Sequence, residues 1–208
     1  MERVLTVTGT GHITVAPDMA ILSLTLEKMN RKYEVMIAQV DKAVDSLREE
    51  LERIGISGAE LKTTGFDVDT RYADDIDCDK KHIFLGYSGR HELSLAIPMD
   101  NELLGKCITV LSHTEGKPEI NISFSVKDKD ALKNLVIEDA VRNAKLKADI
   151  LSKAAGVKLG NIIKIEYSWG EPHFRSRFKT ACKRYKIGEI NPEDIEESDS
   201  VTVVWQIE

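Results

Sequence analysis

Apolar residues alternate with polar ones from the start of the chain. Leu5, Val7, Ile13 and Val15 predict a strand over Arg3–Val15, with Gly9-Thr10-Gly11 marking a bulge or bend within it. Pro17-Asp18 is a turn signal, and Ala20, Leu22, Leu24 and Leu26 then line one face of a second strand, with Ile21, Ser23 and Thr25 on the other. The period lengthens next. Val40, Val44, Leu47, Leu51 and Ile54 recur at three- and four-residue steps, predicting a helix from about Arg31 to Ile54 that Gly55 stops. Alternation returns with Phe66, Val68, Thr70 and Tyr72, and again with Leu85, Tyr87, His91, Leu93, Leu95 and Ile97. These read as a hairpin whose polar, acidic connection, Ala73 to His82, is an exposed loop.

Beyond Pro98 the pattern gives a short helix around Asn101 to Ser112 and a strand through Ile120, Ile122, Phe124 and Val126. A second long helix runs from about Asp130 to Ala155, with Leu132, Val136, Ala140, Ala144, Ala148, Leu151 and Ala155 as its stripe and Gly156 at its end. Its alanines predict a closer approach to a sheet than the first helix makes. Two strands finish the chain, Ile162 to Trp169 and Val201 to Ile207. Strand–helix–strand–strand thus occurs twice, over about 19–97 and 119–207. The reading is one α+β domain spanning 1–208, a mainly antiparallel sheet with two long helices packed on one face.

Composition narrows the function classes. The 208 residues are 42% hydrophobic and 31% charged, ordinary values for a folded chain, and the formal charge of −6 argues against a surface that tracks nucleic acid or anionic lipid throughout. No apolar run approaches the roughly 20 residues of a membrane-spanning helix. Met1-Glu2-Arg3 leads directly into the first strand with no signal peptide, so the expected location is the cytoplasm; a periplasmic or envelope location is the alternative if a leader has been removed. Cys78, Cys107 and Cys182 are far apart and match no zinc or redox spacing, which fits a reducing compartment.

The run Val7-Thr8-Gly9-Thr10-Gly11-His12-Ile13-Thr14-Val15-Ala16-Pro17-Asp18-Met19-Ala20 resembles the opening of the SIMPL-domain family, which includes oxidative-stress-defence and periplasmic immunogenic proteins. Further likenesses follow in the family's order: Gly55-Ile56, Gly86-Tyr87, Ile120 to Asp128, Ala140, Ala144, Lys147-Ala148, Leu151 and Gly156, and the closing Val201-Thr202-Val203-Val204-Trp205. The resemblance covers nearly the whole chain. It implies an α+β subunit that forms large ring- or channel-like homo-oligomers, an envelope or stress-related role, and no established enzyme chemistry. Each residue of the run is also one that a bend, a turn, a helix cap or close packing requires.

Candidate chemistry is sparse. Asp75, Asp77 and Asp79 have the spacing of the first EF-hand ligands, but Lys80 stands where the turn glycine belongs and Gly86 where the bidentate glutamate belongs. His12, His82, His91, His113 and His173 are scattered, and His91 falls on an apolar strand face, as a hydrogen-bonded, partly buried histidine does. Gly9-Thr10-Gly11 lacks the third glycine and the following helix of a dinucleotide site. The expectation is therefore no enzyme, no cofactor and no metal.

One stretch stands apart. From His173 to Lys186 the chain carries six Lys or Arg, three aromatics and no acid, and Glu189 to Asp199 then carries six acids and no base. Arg175, Arg177, Lys179, Lys183 and Arg184 are the candidate contacts, either to the acidic block within or between subunits, or to an anionic ligand such as single-stranded nucleic acid or an acidic lipid surface.

Overall fold

The computed structural model describes residues 3–74, 82–168, 176–177 and 190–208. In chain order the elements are β1 (Val4–Val15), β2 (Met19–Asn30), α1 (Tyr33–Arg53), β3 (Lys62–Asp74), β4 (His82–Pro98), α2 (Asn101–Ser112), β5 (Glu119–Ser125), α3 (Lys129–Ala155), β6 (Leu159–Glu166), β7 (Ser176–Arg177) and β8 (Ile195–Ile207). The α+β class is as the sequence pattern implies. The single expected sheet is resolved into two, a three-stranded one in the order β1-β8-β6 and a five-stranded one in the order β3-β4-β2-β5-β7. The chain correspondingly divides into two compact units.

The physical reason for two sheets lies in the pairing of the chain ends. β1 pairs antiparallel with β8 along its whole length, from Val4 opposite Gln206 to Val15 opposite Ile195. That leaves β2 to pair with β4, from Met19 opposite Pro98 to Asn30 opposite Tyr87. β5 belongs to the five-stranded sheet, whereas β6 and β8 belong to the three-stranded one.

The unit built on the five-stranded sheet spans Asp18–Phe124 and Arg177–Asn191. Its core follows directly from the two sequence periods. Leu22, Leu24 and Leu26 of β2 and Leu93, Leu95 and Ile97 of β4 are buried to 1% exposure or less, and α1 lays Met36, Val40, Ala43, Val44, Leu47 and Leu51 over them. Each of these Leu, Ile, Val and Met side chains contributes about 1.5–3 kcal/mol of hydrophobic stabilisation. α2 adds Leu104, Cys107 and Leu111 to the same cluster and is capped by Asp100, whose carboxylate accepts from the Glu102 and Leu103 amides. Burial in this core pushes the Cys107 thiol pKa up, so it stays protonated and inert. Leu85 departs from the expected face: the β3–β4 register shifts between Arg71 and Tyr72, and Leu85 is left exposed.

The other unit spans Met1–Pro17, Ser125–Ser176 and Pro192–Glu208. Here α3 lies on β1 and β8. Asp128 caps its start by accepting from the Ala131 amide, and Gly156, at φ 70°, ends it in the left-handed conformation. Its buried face is Leu132, Lys133, Val136, Ala140, Ala144, Ala148 and Ser152. Leu151 and Ala155, expected on that face, are exposed: the buried stripe keeps stepping by four residues, through Ala140, Ala144 and Ala148 to Ser152, and so drifts round the helix away from the three-residue step to Leu151. Opposite the alanines stand Val7, Val201, Val203 and Trp205.

Candidate functional site

Among the described glycines, Gly9 and Gly11 of β1 come closest to other backbone, that of α3. The expected bulge at Gly9-Thr10-Gly11 is absent, since every residue from Val4 to Val15 keeps an unbroken register with β8. The glycines serve helix approach. A Cβ on Gly9 would lie 2.1 Å from the Ala140 carbonyl oxygen and 2.3 Å from the Ala144 nitrogen. A Cβ on Gly11 would lie 2.0 Å from the Val136 carbonyl oxygen. The helix backbone therefore rests on the strand backbone, which only a hydrogen at those positions and small residues on the facing helix allow.

β1 is an edge strand, and α3 closes that edge. The Asp139 carboxylate accepts from the His12 amide at 3.2 Å, the Asn143 side-chain amide donates to the Thr10 carbonyl at 2.9 Å, and the Lys147 ammonium donates to the Thr8 carbonyl at 3.3 Å. Asn143 also donates to Asp139 at 3.1 Å, which joins the rungs. Three side chains at four-residue spacing on the helix thus satisfy backbone groups at two-residue spacing on the strand. A neighbouring strand would otherwise supply those partners, so the edge is occupied from within the chain. Sequence reasoning did not find this ladder. Its signal was present in the four-residue recurrence of polar Asp139, Asn143 and Lys147 alongside the alanine stripe.

β6, at the other edge of the same sheet, has no comparable cover among the described residues. It pairs with β8, and Ile162, Ile163 and Ile165 are 53%, 48% and 54% exposed. Lys164 and Glu166 form an ion pair along the strand.

In the five-stranded unit, His91 lies on the apolar strand face, as its spacing implies. One ring nitrogen, Nε2, is 2.9 Å from the Thr63 hydroxyl, and the edge of Phe66 packs on the ring at 5.2 Å between centroids. Nδ1 is buried without a hydrogen-bond partner. Desolvation lowers the His91 pKa below its usual 6.5; Asp41 opposes that shift and Arg48 reinforces it, so the ring is neutral at pH 7. A shallow groove of about 420 Å³ lies between the end of β2 and α1, where Lys42 pairs with Glu115 at 3.2 Å and Lys28 donates to the Gly116 carbonyl. Among the described residues, no group of three or more His, Cys, Asp or Glu is gathered to hold a metal ion.

The basic candidates Arg175, Lys179, Lys183 and Arg184 lie outside the described residues, as do the acidic positions Asp75, Asp77 and Asp79. Arg177 is described through its backbone alone, as half of β7. The described residues therefore do not test whether these positions meet one another or an anion.

Fold and seam define a class: an α+β protein whose distinctive residues fasten an alanine-faced helix onto a glycine-bearing edge strand. Residues 5–205 match the family model SIMPL, described as a protein of unknown function (DUF541), and the chain belongs to that family. It is similar to the 26 kDa periplasmic immunogenic protein of Brucella abortus (strain S19), 30% identical over 166 residues that make up 77% of this chain and 65% of that one. The protein of the same name from Brucella melitensis biotype 1 is 29% identical over the same shares. The match thus spans a little under two thirds of the length of these relatives. Among solved structures, an uncharacterized conserved protein from Listeria innocua aligns over 96% of this chain and 92% of its own at 8% identity and a TM-score of 0.20, a likeness too small to carry an argument. No helix among the described residues is long and apolar enough to cross a membrane.

Proposed function

We propose that this chain is a non-enzymatic subunit of the bacterial envelope that assembles with copies of itself. The observation that carries the reading is the use made of the family's own residues. Gly9, Gly11, Ala140 and Ala144 are taken up by backbone-to-backbone packing, and Lys147 by the strand edge, where Asp139 and Asn143 of this chain join it. Residues that distinguish the family thereby define a shape, which is what a building block needs. The periplasmic relatives favour the envelope over the cytoplasm, and the family resemblance supports a stress-related role for the assembly.

Two measurements test this. Cell fractionation of the natural gene's product places it in the periplasm, and light scattering of the purified protein at micromolar concentration gives a mass several times that of one chain. Recovery in the cytoplasm overturns the location, and a strict monomer overturns the assembly.

A further inference from the structure

The two edges of the three-stranded sheet are treated in opposite ways, and the difference points to a partner. Edge strands expose unpaired backbone donors and acceptors, and chains blunt them with charge, proline, bulges or a covering element. β1 is covered by Asp139, Asn143 and Lys147. β6 contains no proline; its irregularities lie before Lys164 and its charges, Lys164 and Glu166, are of opposite sign, and it presents three half-exposed isoleucines. Ile162 stands opposite Trp205 and Ile165 opposite Val203, so both are on the face that carries α3. Trp205 and Val203 are buried there at 4% and 1% exposure, while Ile162 and Ile165 are 53% and 54% exposed. An apolar strip therefore continues the covered face outward to an edge that no other described residue covers.

We propose that β6 is a two-fold contact between copies of this chain, in which β6 of one protomer pairs antiparallel with β6 of its partner about an axis at Ile165. The inference rests on the self-assembly reading and names its interface. Charge selects the register. In an isologous antiparallel pair each residue faces a position mirrored about the axis, and an axis at Lys164 or at Glu166 would set like charges directly opposite each other, which is unfavourable. With the axis at Ile165, Lys164 faces Glu166 of the partner subunit, and the reciprocal pair forms on the other side. Ile165 then faces its own copy, an aliphatic cross-strand pair on the axis. The β6–β8 register is continuous from Lys164 to Glu166, with its irregularities confined to the segment before Lys164, so the axis falls on the regular part of the strand. Two three-stranded sheets become one continuous sheet, and the partner covers the isoleucine strip.

The experiment uses the full chain in two designs. In a background carrying Cys78→Ser and Cys182→Ser, Ile165→Cys is oxidised mildly and run on a non-reducing gel, with Val35→Cys on an exposed helix position as the control. A covalent dimer from Ile165→Cys and none from Val35→Cys is expected. Separately, Lys164→Glu weakens association by roughly tenfold or more, because two cross-strand pairs turn from attraction to repulsion. The swap Lys164→Glu with Glu166→Lys restores it. All these positions are surface sites, and unchanged thermal unfolding of the variants under dissociating conditions confirms that folding is intact. If the unmodified protein assembles but Ile165→Cys does not cross-link and Lys164→Glu assembles as before, the β6 contact is overturned while the assembly reading stands. If the unmodified protein is a monomer at micromolar concentration, both fall.

Discussion

Gly11 and Gly89 both lie under a helix, yet they meet it differently. A Cβ on Gly11 of β1 would strike backbone, the Val136 carbonyl at 2.0 Å and the Ala140 nitrogen at 2.7 Å. A Cβ on Gly89 of β4 would strike the Met36 sulfur at 2.3 Å, with Val40 Cγ2 next at 3.3 Å. Where α3 meets β1, the spacing is set by main chain, so no rotamer change relieves an added methyl group. Where α1 meets β4, the spacing is set by long side chains, and methionine is the most adaptable of them. One interface is shape-locked; the other is filled like an ordinary core. Composition alone shows why: α3 faces its sheet with three alanines in succession at four-residue spacing, whereas α1 uses Met36, Val40, Val44, Leu47 and Leu51.

Substitutions break this comparison in a definite order. Gly11→Ala has the largest effect, a loss of about 3 kcal/mol or more, because overpacking against backbone forces the helix off the strand. Chemical denaturation followed by circular dichroism reads it. Leu47→Ala, in the side-chain-filled interface, costs about 2–5 kcal/mol, while Leu146→Ala on α3, where the leucine is 56% exposed, stays within about 0.5 kcal/mol of the parent. Equal losses at the two leucines, measured by the same titration, would show that α3 buries a face this structure leaves open. Asn143→Ala costs about 1 kcal/mol by removing the donor to the Thr10 carbonyl. The same substitution speeds hydrogen exchange of the neighbouring His12 amide, whose acceptor Asp139 loses its tether to Asn143.

The smallest effect is a pH dependence in the five-stranded unit. His91 has a folded-state pKa below its unfolded value, so the unfolded chain binds a proton that the folded chain refuses as pH falls below about 6.5. Stability contributed by the neutral ring is present above that value and declines on acidification until the folded state also protonates. His91→Gln, which cannot titrate, flattens this segment of the stability curve in parallel urea titrations. An unchanged curve would assign the acid sensitivity to other groups.

Much of the fold was legible in the residue pattern, for reasons tied to particular elements. β2 and α1 were read correctly because each buries one face against the other, so the periods of two and 3.6 are both printed in Leu22, Leu24, Leu26 and in Val40, Val44, Leu47. The division into two sheets was not legible, since it depends on which strand β1 chooses, and β8 lies at the far end of the chain. The role of Gly9 and Gly11 was misread for a related reason. A glycine in a strand is consistent with a bulge or with close approach, and only the position of Ala140 and Ala144 decides. Leu151 was placed on the buried face of α3 by periodicity, but it stands 48% exposed near the helix end. The edge ladder escaped notice because Asp139, Asn143 and Lys147 look like any solvated helix flank until the strand beside them is known.

Backbone sets the α3–β1 spacing, and a pair of double-mutant cycles measures it. Gly89→Ala in a Met36→Val background should cost clearly less than in the parent, because the shortened side chain vacates the space the methyl group needs. Gly11→Ala combined with Val136→Ala should show no such relief in equilibrium unfolding, because the colliding atoms are the Val136 carbonyl and the Ala140 nitrogen, which truncation leaves in place. Rescue of Gly11→Ala by Val136→Ala to near-parental stability would contradict the account.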